Sequence, residues 1–365
     1  STFPSFSAGW RISQEDFFKN SSLSNSISEL KLRGGWGKLG NQQLSATSDN
    51  SYPSNDNYYP GIFVISPGSN YSFGGNLASG GAVTTSANAG LYWEETTSTN
   101  IGLDLNFHKN WGFVLDYFER KTDGMFVELP VSSLYGLPAP TQNAGTIRNN
   151  GVELQVNYQN TVGELSYSIA ANASYINNKI EEWINPAAQA HSSFYVYEQG
   201  LPIRSFYGYE TLGIYRSDEE YKNSGVQGVN SNVGAGDLIY KDQNGDNKID
   251  GADRVNLGSP DPKYIFGLSG SASYKNFELS IFLQGAADVK GYLWGEAIGA
   301  ISGSDKPTDI YADRFHPTDN PNGSMPRALT SWSQNSPLST PSDFWIQNGS
   351  YLRMKNISLG YNIPQ

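Results

Sequence analysis

Apolar side chains occupy every second position from Ile101 to Phe107 (Ile101, Leu103, Leu105, Phe107), with Gly102, Asp104, Asn106 and His108 on the alternate positions. After Lys109 and Asn110 the alternation resumes, with Phe113, Leu115 and Tyr117 set against Gly112 and Asp116. A period of two marks a strand with two unlike faces, and a turn of three residues (His108, Lys109, Asn110) forces its arms into antiparallel pairing. The pattern predicts a hairpin over 100–118 with arms of about nine residues, long enough to span a bilayer core when tilted.

The same construction recurs twice. Val152, Leu154, Val156 and Tyr158 alternate with Glu153, Gln155 and Asn157. The chain turns at 160–163 and returns with Leu165, Tyr167, Ile169, Ala171, Ala173 and Tyr175. Tyr264, Phe266, Leu268, Gly270, Ala272 and Tyr274 lead to a Lys275-Asn276 turn, and Phe277, Leu279, Ile281 and Leu283 lead back. Single strands are expected over 3–12, over 30–36 and over 351–361. Ser13, followed by Gln14, Glu15 and Asp16, reads as the N-cap of a short helix to about Lys19. Ser217 and Glu220 read as a capping box.

Connections alternate between very short and very long, the long ones covering 37–99, 120–149, 177–261 and 286–349. Pro130, Pro138 and Pro140 argue against regular structure in the second of these. Aromatics flank every short turn: Phe107 and Trp111, Tyr158 and Tyr167, Tyr274 and Phe277. Short turns at one end, long loops at the other and aromatic girdles together describe a transmembrane β-barrel. A soluble sandwich is the alternative, but it rarely confines its long loops to one end over three hairpins. The expected fold is therefore all-β, an antiparallel transmembrane β-barrel portion with long extracellular loops. Leu103, Leu105, Phe113, Leu115, Leu279 and Ile281 are expected to face lipid, and Asp104, Asn106, Asp116, Glu153 and Glu278 the lumen.

Composition is consistent with this reading. The 365 residues are 13% aromatic but only 16% charged, with 39 Gly, 23 Tyr and 8 Trp. No run of 18 apolar residues is present, so no transmembrane helix is expected. The net charge of −11 speaks against nucleic acid, which needs a basic face. The absence of Cys excludes disulfides and thiolate metal sites. Ser1 is not an initiator Met, which points to a removed leader or a fragment.

Catalytic patterns are weak. Gly35-Trp36-Gly37-Lys38-Leu39-Gly40 matches G-x-G-x-x-G, yet no apolar helical stripe follows it, so a Gly-rich strand end packed under bulky neighbours is the better reading. His108, His191 and His316 are scattered through turns and loops. The pairs Glu94-Glu95, Glu181-Glu182 and Glu219-Glu220 are adjacent in sequence and read as solvated charges. No enzymatic activity is expected.

The sharpest motif runs from Asp242 to Asp253. Asp242, Asn244, Asp246, Asp250 and Asp253 carry oxygen side chains at positions 1, 3, 5, 9 and 12, and Lys248 offers its carbonyl at position 7, the spacing of a calcium loop. Asn247 stands where that loop has Gly, and Asp253 is shorter than its usual Glu. Structural Ca2+ and a metal-free loop closed by Asx turns are both consistent with the spacing.

The chain resembles the C-terminal half of the barrel of a SusC/RagA-type TonB-dependent outer-membrane transporter. The matching stretches are Gly9-Trp10-Arg11-Ile12, Leu30-Lys31-Leu32-Arg33, Gly37-Lys38-Leu39-Gly40-Asn41, Trp93-Glu94 and Asn100-Ile101-Gly102-Leu103-Asp104. They continue with Asn143-Ala144-Gly145, Asn150-Gly151-Val152-Glu153-Leu154, the 242–253 segment and Tyr351-Leu352-Arg353-Met354-Lys355-Asn356. The resemblance implies about nine strands of a barrel of roughly 22, with the signal peptide, plug and final strands absent from this chain. It also implies a place in the Gram-negative outer membrane, a SusD-like surface lipoprotein and TonB as partners, and import of an oligosaccharide or sometimes a peptide. Siderophore or cobalamin receptors and adhesin or autotransporter barrels are the rivals, and a soluble glycan-binding or hydrolytic β-protein is a further one. Flat rings suit sugar faces, so Tyr58, Tyr59, Tyr92, Trp93, Tyr195, Tyr207, Trp294 and Trp332 are the candidate substrate contacts.

Overall fold

The computed structural model describes residues 2–42, 62–128, 132–137, 140–184, 189–190, 194–293, 309–328 and 340–364. Nine long strands follow one another in a single sheet in chain order. They are β1 (Ser5–Trp10), β2 (Ile27–Asn41), β3 (Glu94–Phe107), β4 (Trp111–Asp123), β5 (Gly145–Val162), β6 (Leu165–Trp183), β7 (Tyr264–Tyr274), β8 (Phe277–Ala287) and β9 (Tyr351–Tyr361). Sequential neighbours joined by tight turns make an antiparallel meander, as the hairpin pattern requires. The chain divides into two compact units, 1–154 with 177–186, and 155–176 with 187–365.

In the first unit the register sets like against like. Leu32 opposes Leu103, which opposes Leu115, while Lys31 opposes Asp104 and Gly102 opposes Asp116. The turn after Phe107 takes three residues, with His108 and Lys109 in the left-handed region at φ 48° and 61°. Ile101, Leu115 and Tyr117 are exposed on the apolar face. Further along the same face, beyond Tyr117, Glu119 and Glu181 flank Arg148 at 3.9 and 2.8 Å, so charge returns where the apolar band ends.

In the second unit Ile169, Gly270, Ile281 and Ile357 form one apolar row across four strands, and Tyr167, Ala272, Leu279 and Leu359 the next. Ile169, Leu268, Leu279, Ile357 and Leu359 are all exposed. A row of Tyr274, Phe277 and Tyr361 closes this band at the turn end, with Phe277 and Tyr361 at 4.8 Å. Tyr175 and Tyr264 close it at the other end, 5.3 Å apart. The 11 residues of β7 between these girdles cover about 33 Å along the strand, or about 25 Å of height at a tilt near 40°, the thickness of an outer-membrane apolar band. The opposite face is polar, with Ser168, Ser271, Ser280 and Ser358 in one row.

The best-buried side chains lie away from this band. Tyr209, Ile214, Leu238, Tyr240 and Ile249 form one core in the long excursion between β6 and β7, and Tyr311 and Trp345 form another. A protein that buries its core in its loops and exposes Leu and Ile on its sheet is built for a sheet with an apolar solvent on one side.

Three local expectations change. The first helix, α1 (Asp16–Lys19), starts at Asp16 and its N-cap is Glu15, because Ile12–Gln14 first closes a 3-10 turn that takes in Ser13. The 120–149 connection is largely structured: β4 runs to Asp123, and Phe126–Glu128 pairs with Thr141–Asn143 before β5 begins. Pro130 and Pro138 lie outside the described residues. The arms of the first hairpin are 14 and 13 residues long rather than about nine, since the ladder continues past the bilayer, where both faces meet water and the apolar alternation stops.

Candidate functional site

The lumen-facing side of β2, β3 and β4 carries a charge cluster whose members are far apart in sequence. Arg33 donates from Nε to Asp104 at 3.1 Å and from Nη2 to Asp116 at 2.5 Å, and Lys31 lies 3.5 Å from Asp104. Alternation put Asp104 and Asp116 on this face. The bridging role of Arg33 follows only from the register, in which it opposes Gly102. Gly102 leaves room there: a Cβ at this position would meet both the Arg33 guanidinium and an Asp116 oxygen. The Gly-rich motif of 35–40 lies within β2, and the Phe3 ring covers Gly40. That is the packed strand end, not a phosphate cradle.

Four of the eight aromatic candidates are described. Trp93 stacks on Phe3 at 5.5 Å and is 40% exposed. Tyr92 is clamped through its backbone, its N–H donating to Asn143 Oδ1 at 3.1 Å and its carbonyl accepting from Asn143 Nδ2 at 2.8 Å, and it keeps 59% of its surface exposed. Tyr195 stacks on Phe206 at 5.4 Å. Tyr207 is half-buried, and burial, with Glu198 nearby, pushes its phenol pKa up. Tyr58, Tyr59, Trp294 and Trp332 lie outside the described residues.

The long excursion between β6 and β7 packs with parts of 309–328 and 340–345 into a loop domain that belongs to the second unit. Gln189–Ala190, Tyr195–Tyr197, Ser205–Gly208 and Val255–Gly258 make a four-stranded sheet, and Thr211–Ile214 pairs with Leu238–Tyr240. Helix α2 (Asp218–Ser224) starts at Ser217, whose hydroxyl accepts from Glu220 N–H at 3.1 Å, and ends at a left-handed Gly225. Glu220 returns a bond at 2.5 Å, but to the N–H of Arg216 rather than that of Ser217. One tie escaped sequence reasoning. Asp237, with no exposed surface, takes two bonds from Arg327 at 3.0 and 2.7 Å and a third from Gly234 N–H at 2.9 Å. Arg327 lies too far from Asp237 in sequence for any local signal to pair them.

In the 242–253 loop each oxygen side chain serves the loop's own backbone. Asp242 accepts from Gly245 and Asn247 N–H, both at 2.7 Å, Asn244 from Asp246 at 2.9 Å and Asp246 from Lys248 at 2.9 Å. Asp250 caps Ala252 at 2.9 Å, and the buried Asp253 accepts from Gln243 and Asp250 at 2.9 and 2.8 Å. The Ala252 N–H bond, then the Lys248 ammonium, hold the Asp250 carboxyl below its ordinary pKa. Asn247 adopts φ 63°, the left-handed turn that a calcium loop assigns to Gly. Among the described residues no three carboxylate or imidazole groups gather as a cation would need, so a metal would have to draw these oxygens from the amides they serve.

A sheet with an apolar, girdled outer face, a polar inner face, tight turns at one end and folded loops at the other is a wall segment of a transmembrane β-barrel. The chain belongs to the family described as TonB dependent receptor-like, beta-barrel, which matches residues 1–364. TonB-dependent receptor P3 of Formosa agariphila is 29% identical over 375 residues, covering 100% of this chain and 35% of the relative. TonB-dependent receptor SusC of Bacteroides thetaiotaomicron is 29% identical over 386 residues, covering 99% and 34%. The RagAB peptide transporter superposes with a TM-score of 0.75 at 20% identity, over 99% of this chain and 36% of that one, a likeness of fold. The chain spans about a third of the curated relatives it matches. It is a portion of a TonB-dependent receptor β-barrel, a family of outer-membrane proteins.

Proposed function

We propose that this chain forms part of the wall and external loops of a transporter that imports an oligosaccharide across the outer membrane, driven through TonB and fed by a SusD-like surface lipoprotein. The observation that carries this reading is the family match over residues 1–364 on a sheet with a lipid-facing and a lumen-facing side. Transport of this kind breaks no bonds in the solute. The lumen wall is polar but internally neutralised, as in the cluster of Lys31 and Arg33 with Asp104 and Asp116, so it offers exchangeable hydrogen bonds rather than a fixed charge that would trap a solute. Exposed Tyr92 and Trp93 supply rings at the loop end. A peptide is the second reading, favoured by the fold likeness to the RagAB peptide transporter. Deleting the full gene and measuring uptake of labelled oligosaccharides, labelled peptides and ferric siderophore separates these readings. Loss of oligosaccharide uptake alone is expected, and loss of siderophore uptake alone would overturn the proposal. Calcium in the 242–253 loop is a further part of the proposal. It would be held by Asp242, Asn244, Asp246, Asp250, Asp253 and the Lys248 carbonyl, competing with the loop's amides and so binding weakly, at roughly 10⁻⁴–10⁻³ M.

A further inference from the structure

The loop domain between β6 and β7 contains a cavity of about 580 Å3. That lies within the ordinary range of small-ligand sites, roughly 300–1,000 Å3. One wall is the rim of the 242–253 loop (Lys248, Ile249, Asp250), the other the 227–231 segment that follows α2, and Tyr209 and Tyr221 add aromatic lining. The two walls are tied by backbone bonds: Gln227 N–H donates to the Asn247 carbonyl at 2.8 Å and Ile249 N–H to the Gln227 carbonyl at 2.9 Å. Tyr221 is placed by a T-shaped contact with Tyr215 at 5.3 Å, and its hydroxyl accepts from Gly228 N–H at 3.4 Å. Beneath them Tyr209 and Ile249 belong to the buried core of this domain. The pocket thus has a packed base and stands half open to solvent.

The chemistry of the lining selects a ligand class. Lys248 and Asp250 pair at 2.9 Å, so the rim carries both signs without a net charge. The Gln227 carboxamide and the Ser231 hydroxyl are exposed and make no hydrogen bond among the described residues, and each can both donate and accept. An anion or a cation would find one partner and one repulsive group at the ion pair. A neutral ligand whose hydroxyls alternate as donors and acceptors, and whose ring presents a C–H face to the partly exposed Tyr221, suits the ion pair, Gln227 and Ser231 together.

We propose that this cavity is a binding site for a neutral saccharide unit on the external loop, separate from the lumen wall. The inference rests on the saccharide reading above and adds to it a place where the sugar is held before entry. The test uses the intact receptor purified in detergent, titrated calorimetrically with maltose, cellobiose, lactose and, for comparison, the dipeptide alanyl-alanine. At least one disaccharide should saturate the wild-type protein. Gln227→Ala should weaken it about fivefold, the effect of losing roughly one hydrogen bond. Ser231→Trp, which fills the cavity, should abolish saturation while the barrel keeps its heat-modifiable migration on gels. If Ser231→Trp disturbs the barrel, the Gln227→Ala ratio alone decides. No disaccharide binding to the wild type, unchanged binding in both variants, or a preference for the dipeptide that Ser231→Trp removes would each overturn the site as proposed. Binding is read without uptake: a receptor that imports sugar but fails here loses only this inference. One that binds here and imports none loses only the transport reading.

Discussion

Leu103→Arg tests the two-faced sheet most directly. Leu103 sits on β3 four residues from Phe107 at the turn, between Leu32 and Leu115 on the neighbouring strands. Four residues advance about 13 Å along a strand, or about 10 Å of height at a tilt near 40°, which brings the side chain close to the middle of a band about 25 Å tall. An Arg at that depth on the lipid face should cost about 2–4 kcal/mol, against about 0–1 kcal/mol near an interface. The control is Val114→Arg. Val114 opposes Asp104 on the lumen face and lies next in sequence but one to Asp116, so the new guanidinium shares two carboxylates with Arg33 and Lys31 and is solvated by water. Its expected cost is within about 1 kcal/mol, in keeping with a solvated ion pair. Guanidinium unfolding of the intact receptor in lipid vesicles, followed by tryptophan fluorescence, gives both numbers. Labelling Leu103→Cys and Asp104→Cys against a lipid-soluble quencher gives the orientation independently. Equal costs for the two Arg variants, or equal quenching of the two cysteines, would refute the assignment of faces.

Other consequences are more local. Arg327→Ala strands the buried Asp237 carboxylate and should cost the loop domain about 3–5 kcal/mol, seen as earlier cleavage by protease while the barrel stays intact. Asp313 accepts from Ser324 O–H and N–H at 2.6 and 3.0 Å and from Asn320 at 2.9 Å, bonds that hold its pKa down at about 2. Because the folded pKa lies below the ordinary carboxylate value, this stabilisation is complete above that value and is lost as pH falls through about 2. An NMR titration should show Ser324→Ala moving the Asp313 midpoint upward, and an unmoved midpoint would sink the assignment. Gly208→Ala forces a Cβ onto the Pro341 carbonyl, which also accepts from Tyr209 N–H at 2.9 Å; a loss of about 1–3 kcal/mol from overpacking is expected in thermal unfolding. If calcium binds the 242–253 loop, chelation should speed cleavage around Gly245 and Gly251, whereas equal rates with and without chelator would leave only the Asx-turn network.

The barrel strands were legible because a bilayer imposes its signature on single residues. One face must be apolar, the other need not be, and successive side chains alternate between them. Leu103, Leu115, Ile169, Leu279 and their polar alternates therefore announced both strand and face, and Phe107, Trp111, Tyr274 and Phe277 marked the turns. The spacing of Asp242, Asn244, Asp246, Asp250 and Asp253 was equally plain, since each oxygen bonds amides only a few residues away. Legibility ended where the lipid ends. Above the band both faces of β3, β4, β5 and β6 meet water, so the ladder continues without a periodic pattern to reveal it. The loop domain between β6 and β7 depends on partners that no local rule joins: Asp237 with Arg327, Thr211 with Asp343 at 2.9 Å, Tyr209 with Pro341. The Arg33 bridge exists only because the strand register brings Asp104 and Asp116 within its reach. Solvent contrast acts residue by residue and is written along the chain. Long-range pairing acts through register and loop closure, and only the folded structure decides it.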